Sequence, residues 1–303
     1  MLHTSTIAQL KSMHHSVKAL ISSTFVLFLG LVLFLGVPSL LFANGLPVST
    51  TDCQSGIAPS GGCVVDTDTQ GLYGINYSLT GNIASGATVG ITFDAIDTTT
   101  INYSGNITTT GNSAAGVYFR TASNISYSML GDIGTSGYSS HGIYLLTSDS
   151  NVTTMTGDIS TTRDFARGLY LASSNNNTTT LTGGISTTGD SADGLYLASS
   201  DSNIINLTGS LSATGTGSYA IYANSTSDNN TIVFNQGSQI IGGLYNDGAN
   251  NTLTFNLGRA ASYNFTTSGA VNWVLDDTTK TVIAGSAKSR GVADMDDAGN
   301  RLY

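Results

Sequence analysis

The chain is poor in charge. Only 10% of its 303 residues are Asp, Glu, Lys or Arg, against roughly 25% in an average globular protein. Disorder is not the reason, because disordered chains lack β-branched and aromatic residues and this one is rich in Thr, Ile and Tyr. Basic residues are scarcer than acidic ones, the net charge is −9, and no basic run follows residue 20. That excludes a nucleic-acid surface, which needs clustered Lys and Arg. Pro is almost absent, with three residues, and Trp occurs once, at Trp273. The two cysteines, Cys53 and Cys63, have no CxxC metal spacing. In an oxidising compartment they pair as one short-loop disulfide, the alternative being two free thiols.

Gly, Ser, Thr and Asn fill the gap, and they are arranged periodically. The heptapeptide GLYLASS begins at Gly168 and again at Gly194, 26 residues on. Gly90-Ile91-Thr92, Gly116-Val117-Tyr118, Gly142-Ile143-Tyr144 and Ala220-Ile221-Tyr222 fall at the same phase. The chain is an array. After each Gly, the columns Ile91/Val117/Ile143/Leu169/Leu195/Ile221 and Phe93/Phe119/Leu145/Leu171/Leu197/Ala223 share parity. They point to one face of a strand. Between them Tyr118, Tyr144, Tyr170, Tyr196 and Tyr222 form a column on the other face.

A second strand is predicted about ten residues later. It has two apolar columns, Tyr103/Met129/Met155/Leu181/Leu207 and Ile107/Ile133/Ile159/Ile185/Leu211. Between them run Gly105, Gly131, Gly157, Gly183 and Gly209, whose constancy marks a bend or a positive φ. Asn124, Asn151, Asn176, Asn177 and Asn203 occupy the turns, where Asn tolerates the left-handed region and can ladder with its copy one coil away. Short strands, Gly bends and in-phase apolar columns predict an all-β chain, a parallel β-helix of about 26-residue coils. Each coil stacks on the last, because a lone coil buries little. A helical solenoid would need helix formers at 3.6 spacing, which are missing. After Tyr222 the period breaks, and residues 252–257 and 271–275 still alternate, as last coils and a cap that Trp273 packs.

The first 43 residues differ. Lys11 and Lys18 precede residues 25–37, FVLFLGLVLFLGV, and a small residue, Ala43, follows. This is the pattern of a secretory signal peptide, with an uncleaved membrane anchor over residues 19–43 as the alternative. The organisation expected is a signal peptide at 1–43, an N-terminal cap at 44–75 holding Cys53 and Cys63, β-helix repeats at 76–285, and a C-terminal linker at 286–303.

Catalytic chemistry is hard to assemble. Gly189-Asp190-Ser191 resembles the start of a hydrolase block, but Gly111-Asn112-Ser113 and Gly137-Tyr138-Ser139 hold the same phase. A Ser nucleophile also needs a base, and His141 is the only His beyond the leader. Residues 294–299 (DMDDAG) resemble half of a calcium loop with Ala298 at a ligand position and no closing Glu. Asp132 and Asp158 share a phase and are read as solvated. Arg120, Arg163 and Arg167 fall in different phases. No enzyme, cofactor or metal is expected. Sequons such as Asn76-Tyr77-Ser78 and Asn206-Leu207-Thr208 follow from composition. The pairs Ser160/Thr162, Ser186/Thr188 and Ser212/Thr214 make a hydroxyl array interrupted at Gly134, which offers a third reading, a binder of ice or mineral surfaces.

Four stretches together resemble the passenger of a type V secretion autotransporter of Gram-negative bacteria. They are the extended leader, the G-[LIV]-Y and L-T-G-x-I repeats, NNTLTFNLG from Asn250, and AVNWVLDDTTKTV from Ala270. The resemblance implies a right-handed β-helix exported through the Sec translocon and periplasm and displayed at the cell surface as an adhesin or stalk. Its partners would be host or environmental glycans or proteins, met through an exposed column such as Tyr118 to Tyr222. Family members end in an outer-membrane β-barrel of alternating strands. Nothing after Val282 reads that way. A secreted β-helix polysaccharide lyase or hydrolase is the alternative of another class.

Overall fold

The computed structural model describes Cys53, residues 56–57, 61–66, 76–235 and 237–256, and the backbone of four later strands between 261 and 295. The leader, its cleavage point, Trp273 and residues 296–299 lie outside the described residues.

One coil, 142–167, shows the plan. Ile143–Leu146 lies in a first sheet, Val152–Thr156 in a second and Ile159–Thr161 in a third. Each strand pairs in parallel with its own copy one coil away. Ile143 faces Val117 and Leu169, Val152 faces Ser126 and Thr178, and Ile159 faces Ile107's neighbour Ile133 and Ile185. The sheets hold ten, eleven and seven strands. The chain is thus a parallel β-solenoid, and among the described residues no helix occurs.

What the sequence presents as one second strand is two. The Gly column sits at the corner between the second and third sheets, with φ from 140° to 152° at Gly105, Gly131, Gly157, Gly183 and Gly209. A Cβ on Gly157 would stand 2.1 Å from Gly131 O, so only Gly fits.

Burial alternates along most strands, with consecutive buried residues at Leu171–Ala172 and Ala220–Ile221, and inward residues build one continuous core. At the front the core is aromatic: Phe93 and Phe119 stack at 4.5 Å, with Tyr127 edge-on to Phe93 at 5.3 Å. Toward the middle it becomes Leu, Ile and Met. Each such side chain, fully buried, contributes about 1.5–3 kcal/mol.

The corners carry backbone groups inward, and these need partners. Buried polar columns supply them. Ser148, Ser174 and Ser200 accept the backbone N–H one coil earlier and donate to the carbonyl two residues before them. Thr187 Oγ1 donates to Ala192 O at 2.6 Å, and Thr109, Thr135 and Thr161 repeat that bond. Asn151, Asn177, Asn203, Asn230 and Asn251 form a ladder in the interior.

The coil length varies only where turns absorb it. It is 24 residues at Asn82–Asn106, 26 in the centre, 27 at Asn203–Asn230 and 21 at Asn230–Asn251. The short last coil has lost its third turn, so Gln239–Ile241 runs through Gly242 into Gly243–Asn246. The parallel stack then ends in two reversals. Ala261–Thr267 pairs antiparallel with Arg290–Met295, and Val274–Asp277 with Lys280–Ile283. At the other end a disulfide joins Cys53 to Cys63, and Cys63–Val65 pairs with Ile91–Asp94.

Candidate functional site

The Tyr column lies outward on the first sheet because its strand neighbours, Leu169 and Leu171 in one coil, are taken by the core. Tyr118, Tyr144, Tyr170, Tyr196 and Tyr222 are half-buried against one another. Tyr118 to Tyr144 is 4.9 Å between centroids with 6° between planes, and Tyr144 to Tyr170 is 4.7 Å and 8°. Tyr245 extends the column in register above Tyr222, at 4.5 Å and 11°. It is invisible to a 26-residue count because the coil below it is short. In these near-parallel steps the ring faces cover each other, leaving ring rims toward solvent. Burial raises the phenol pKa of Tyr118, Tyr170 and Tyr222, and lifts that of Tyr144 to about 12. These four phenols are therefore neutral at neutral pH.

The stack breaks once. Tyr170 and Tyr196 meet at 60°, and there the guanidinium of Arg167 lies 4.0 Å over the Tyr196 ring and 4.9 Å from that of Tyr170. Arg167 belongs to a second column, His141, Arg167, Asp193 and Tyr219, on the turn that enters the first sheet. These four share the 26-residue phase. Their chemical unlikeness hides the column from a search for identical residues, although the spacing alone reveals it.

Each member engages the next. His141 Nδ1 accepts the Arg167 backbone N–H at 3.1 Å, and its ring meets Tyr144 and Tyr170 edge-on at 5.1 and 5.0 Å. Burial, and then the charge of Arg167, push its pKa down to about 3, so the imidazole is neutral with its proton on Nε2. Arg167 Nε stands 3.4 Å from Asp193 Oδ2, close enough to pair charges but not aligned as a hydrogen bond. Asp193 Oδ1 accepts the Tyr219 N–H at 2.8 Å. Burial outweighs that bond and the arginine, and raises its pKa to about 6. Tyr219 meets Tyr222 and Tyr245, each at 5.5 Å. A separate ion pair, Arg120 with Asp94, edges the first sheet near Tyr118.

The other sequence candidates disperse. Asp132 Oδ1 accepts the Asp158 N–H and Asp158 Oδ1 the Gly184 N–H, so these exposed carboxylates staple successive coils. Asp190 Oδ1 does the same for Thr216. Ser191 sits in the left-handed region at φ 51°, and His141 lies two coils from it. Ser160, Thr162, Ser186, Thr188 and Thr214 are exposed and Ser212 half-exposed on the third sheet and its corner. Among the described residues no three His, Cys, Asp or Glu side chains are grouped to hold a metal.

A comparison of the chain with protein-family models, curated proteins and solved structures finds no match. The class rests on the fold and the strip: a parallel β-solenoid with an outward aromatic ladder and a mixed polar column beside it.

Proposed function

We propose that the chain is a secreted or cell-surface-displayed passenger of the autotransporter kind, with an adhesive or structural role and no catalysis. Export would run through the Sec translocon and periplasm of a Gram-negative bacterium, with an outer-membrane β-barrel partner in the intact system. The observation that carries the reading is the aromatic strip from Tyr118 to Tyr245, edged by His141, Arg167 and Asp193. A long strip of half-exposed tyrosine beside a cation suits attachment, since Tyr offers rigid amphipathic area at low entropic cost. The partner would be a glycan or protein of a host or environmental surface. The net charge of −9 argues against nucleic acid.

The test is Tyr170→Ala combined with Tyr196→Ala, assayed for attachment of coated beads to cultured cells and to abiotic surfaces. Loss of attachment with the β-sheet circular dichroism retained supports the reading. Unchanged attachment in a folded variant removes the strip from the adhesive role.

A second reading, a polysaccharide lyase or hydrolase, draws on one observation: Asp193, held near a pKa of 6 beside Arg167, is an acid poised for proton transfer. A screen of the purified chain on acidic glycans decides it. Turnover that Asp193→Asn abolishes would establish an enzyme, and no turnover on any of them would end that reading.

A further inference from the structure

The six-residue turn from the third sheet to the first is written almost the same way in successive coils. Gly111, Gly137, Gly189 and Gly215 take its second position, and Ser113, Ser139, Ser191 and Gly217 its fourth. The fourth position is left-handed throughout, with φ of 55°, 52°, 51° and 69°. At the second, these glycines sit too close to the coil before for a side chain: a Cβ would stand 1.9 Å from Gly111 O at Gly137, and 1.8 Å from Gly189 O at Gly215. One coil breaks both rules. Its turn, 162–167, has Arg163 at the glycine position and Phe165 at the left-handed one, with φ 58°.

A bulky aromatic in that region is a true outlier. The neighbouring coils show that the fold asks only for Gly and Ser there. Strain kept where the fold does not require it points to use.

What the turn displays is consistent with use. Phe165 is 40% exposed and Tyr138, from the turn one coil before, is 49% exposed. Their centroids are 5.4 Å apart and their planes 58° apart. This tilted pair is more exposed than the tyrosines of the ladder, which are half-buried. Arg163 and Asp164 share the turn with Phe165, and Asp190 holds the phase of Asp164 one coil on; all three are exposed. Asp164 Oδ1 accepts the Asp190 N–H at 3.0 Å, which ties its carboxylate to the next coil.

We propose that Tyr138 and Phe165, with Arg163 and Asp164 beside them, form a binding platform for a neutral glycan. A pyranose presents one face of C–H groups, which suits the electron-rich face of an aromatic ring, and a rim of hydroxyls that both donate and accept. Arginine donates and carboxylate accepts. Charges of both signs at the rim suit an uncharged ligand and give a polyanion no net attraction. The proposal deepens the adhesive reading, and rests on it only in taking the glycan as the surface attached to.

The experiment uses an array printed with neutral mannose, glucose and galactose oligosaccharides beside sialylated and sulfated glycans, probed with the full chain. Phe165→Ser restores the residue of neighbouring turns, and Tyr138→Asn matches Asn112. Each variant is expected to bind the neutral spots at least tenfold more weakly than the parent. Phe165→Ser should also melt no lower than the parent, because the strained residue is gone. The proposal is overturned if the parent binds no neutral spot, binds only the charged ones, or is matched by both variants. Attachment to cells by a parent that binds no neutral spot would overturn it while leaving the adhesive reading intact. Neutral-glycan binding lost in both variants, in a parent that attaches to no cell, would uphold the platform and sink that reading.

Discussion

The side-chain oxygen of Asn203 accepts two hydrogen bonds from Asn177, one from its backbone N–H at 2.9 Å and one from its amide at 3.1 Å. The same amide reaches Ser148 O at 2.9 Å, and Asn177 Oδ1 in turn accepts both donors of Asn151. Asn177→Ala therefore strands the Asn151 N–H and the Ser148 carbonyl in a dry interior, while the Asn151 amide keeps only its bond to Ala122 O. With a buried unsatisfied group costing about 1–3 kcal/mol, the loss expected is about 3 kcal/mol, read from the denaturant midpoint. Asn176→Ala, one residue away, should cost about 1 kcal/mol, because Asn176 is exposed at φ 57° and only eases a left-handed backbone. Equal losses at the two positions would refute the ladder.

Gly157→Ala is expected to be the most damaging small substitution in the central coils. Its φ is 143° and the new Cβ would overlap Gly131 O. The coil below cannot yield without breaking its own stack, since Gly131 repeats the geometry on Gly105. We expect a loss of about 3 kcal/mol or more. Gly134→Ala is the control, because its Cβ would meet nothing closer than 3.7 Å, at Thr108 Cγ2. A stable Gly157→Ala variant with an unmoved midpoint would mean that the coils stack less tightly than this.

The parts of the fold legible in the sequence are those that repeat identically. Leu169, Tyr170 and Leu171 recur as Leu195, Tyr196 and Leu197, and parallel stacking at a fixed spacing sets each against its copy. The three-sheet cross-section was not legible. Whether Gly157 bends one strand or separates two depends on backbone direction at a corner, which period-2 alternation does not encode. Asn176 and Asn177 show the same limit. They are the same residue in adjacent positions, yet one is an exposed turn residue and the other a buried ladder rung.

Spacing also fails where a turn is cut. Tyr245 joins the tyrosine column although the 26-residue rule misses it, because past an irregularity between Tyr219 and Ile221 the pairing of Ile221, Tyr222 and Ala223 with Leu244, Tyr245 and Asn246 is regular again. The column His141, Arg167 and Asp193 escapes for the opposite reason. Its spacing is perfect, but its members differ in charge and shape, and their contacts exist only once coils are stacked.

The tyrosine ladder separates ring from hydroxyl. Tyr144 stacks on both Tyr118 and Tyr170, and aromatic pairs contribute about 0.5–1.5 kcal/mol each beyond burial. Tyr144→Ala should cost about 2 kcal/mol. Tyr144→Phe keeps both stacks and should stay within about 0.5 kcal/mol of the parent. Chemical denaturation of the two variants checks this, and a Phe variant as weak as the Ala one would show that the hydroxyl, not the stacking, holds the strip together.

His141 and Asp193 pull stability in opposite directions with pH. Folding lowers the His141 pKa from 6.5 to about 3, so between those values the unfolded chain binds more protons there, and stability falls as pH drops through that window. Folding raises the Asp193 pKa from 3.8 to about 6. Between those values the folded chain binds more protons there, and stability falls as pH rises. The two nearly cancel between pH 4 and 6. Removing either exposes the other, and comparison with the parent cancels groups common to all. Relative to the parent, His141→Gln should gain in melting temperature as pH is lowered from 6 to 4, leaving Asp193 to act alone. Asp193→Asn should lose over the same range, because the unopposed imidazole must then be kept neutral against a rising proton concentration. If both variants track the parent from pH 6 to 4, neither group is buried as the column requires.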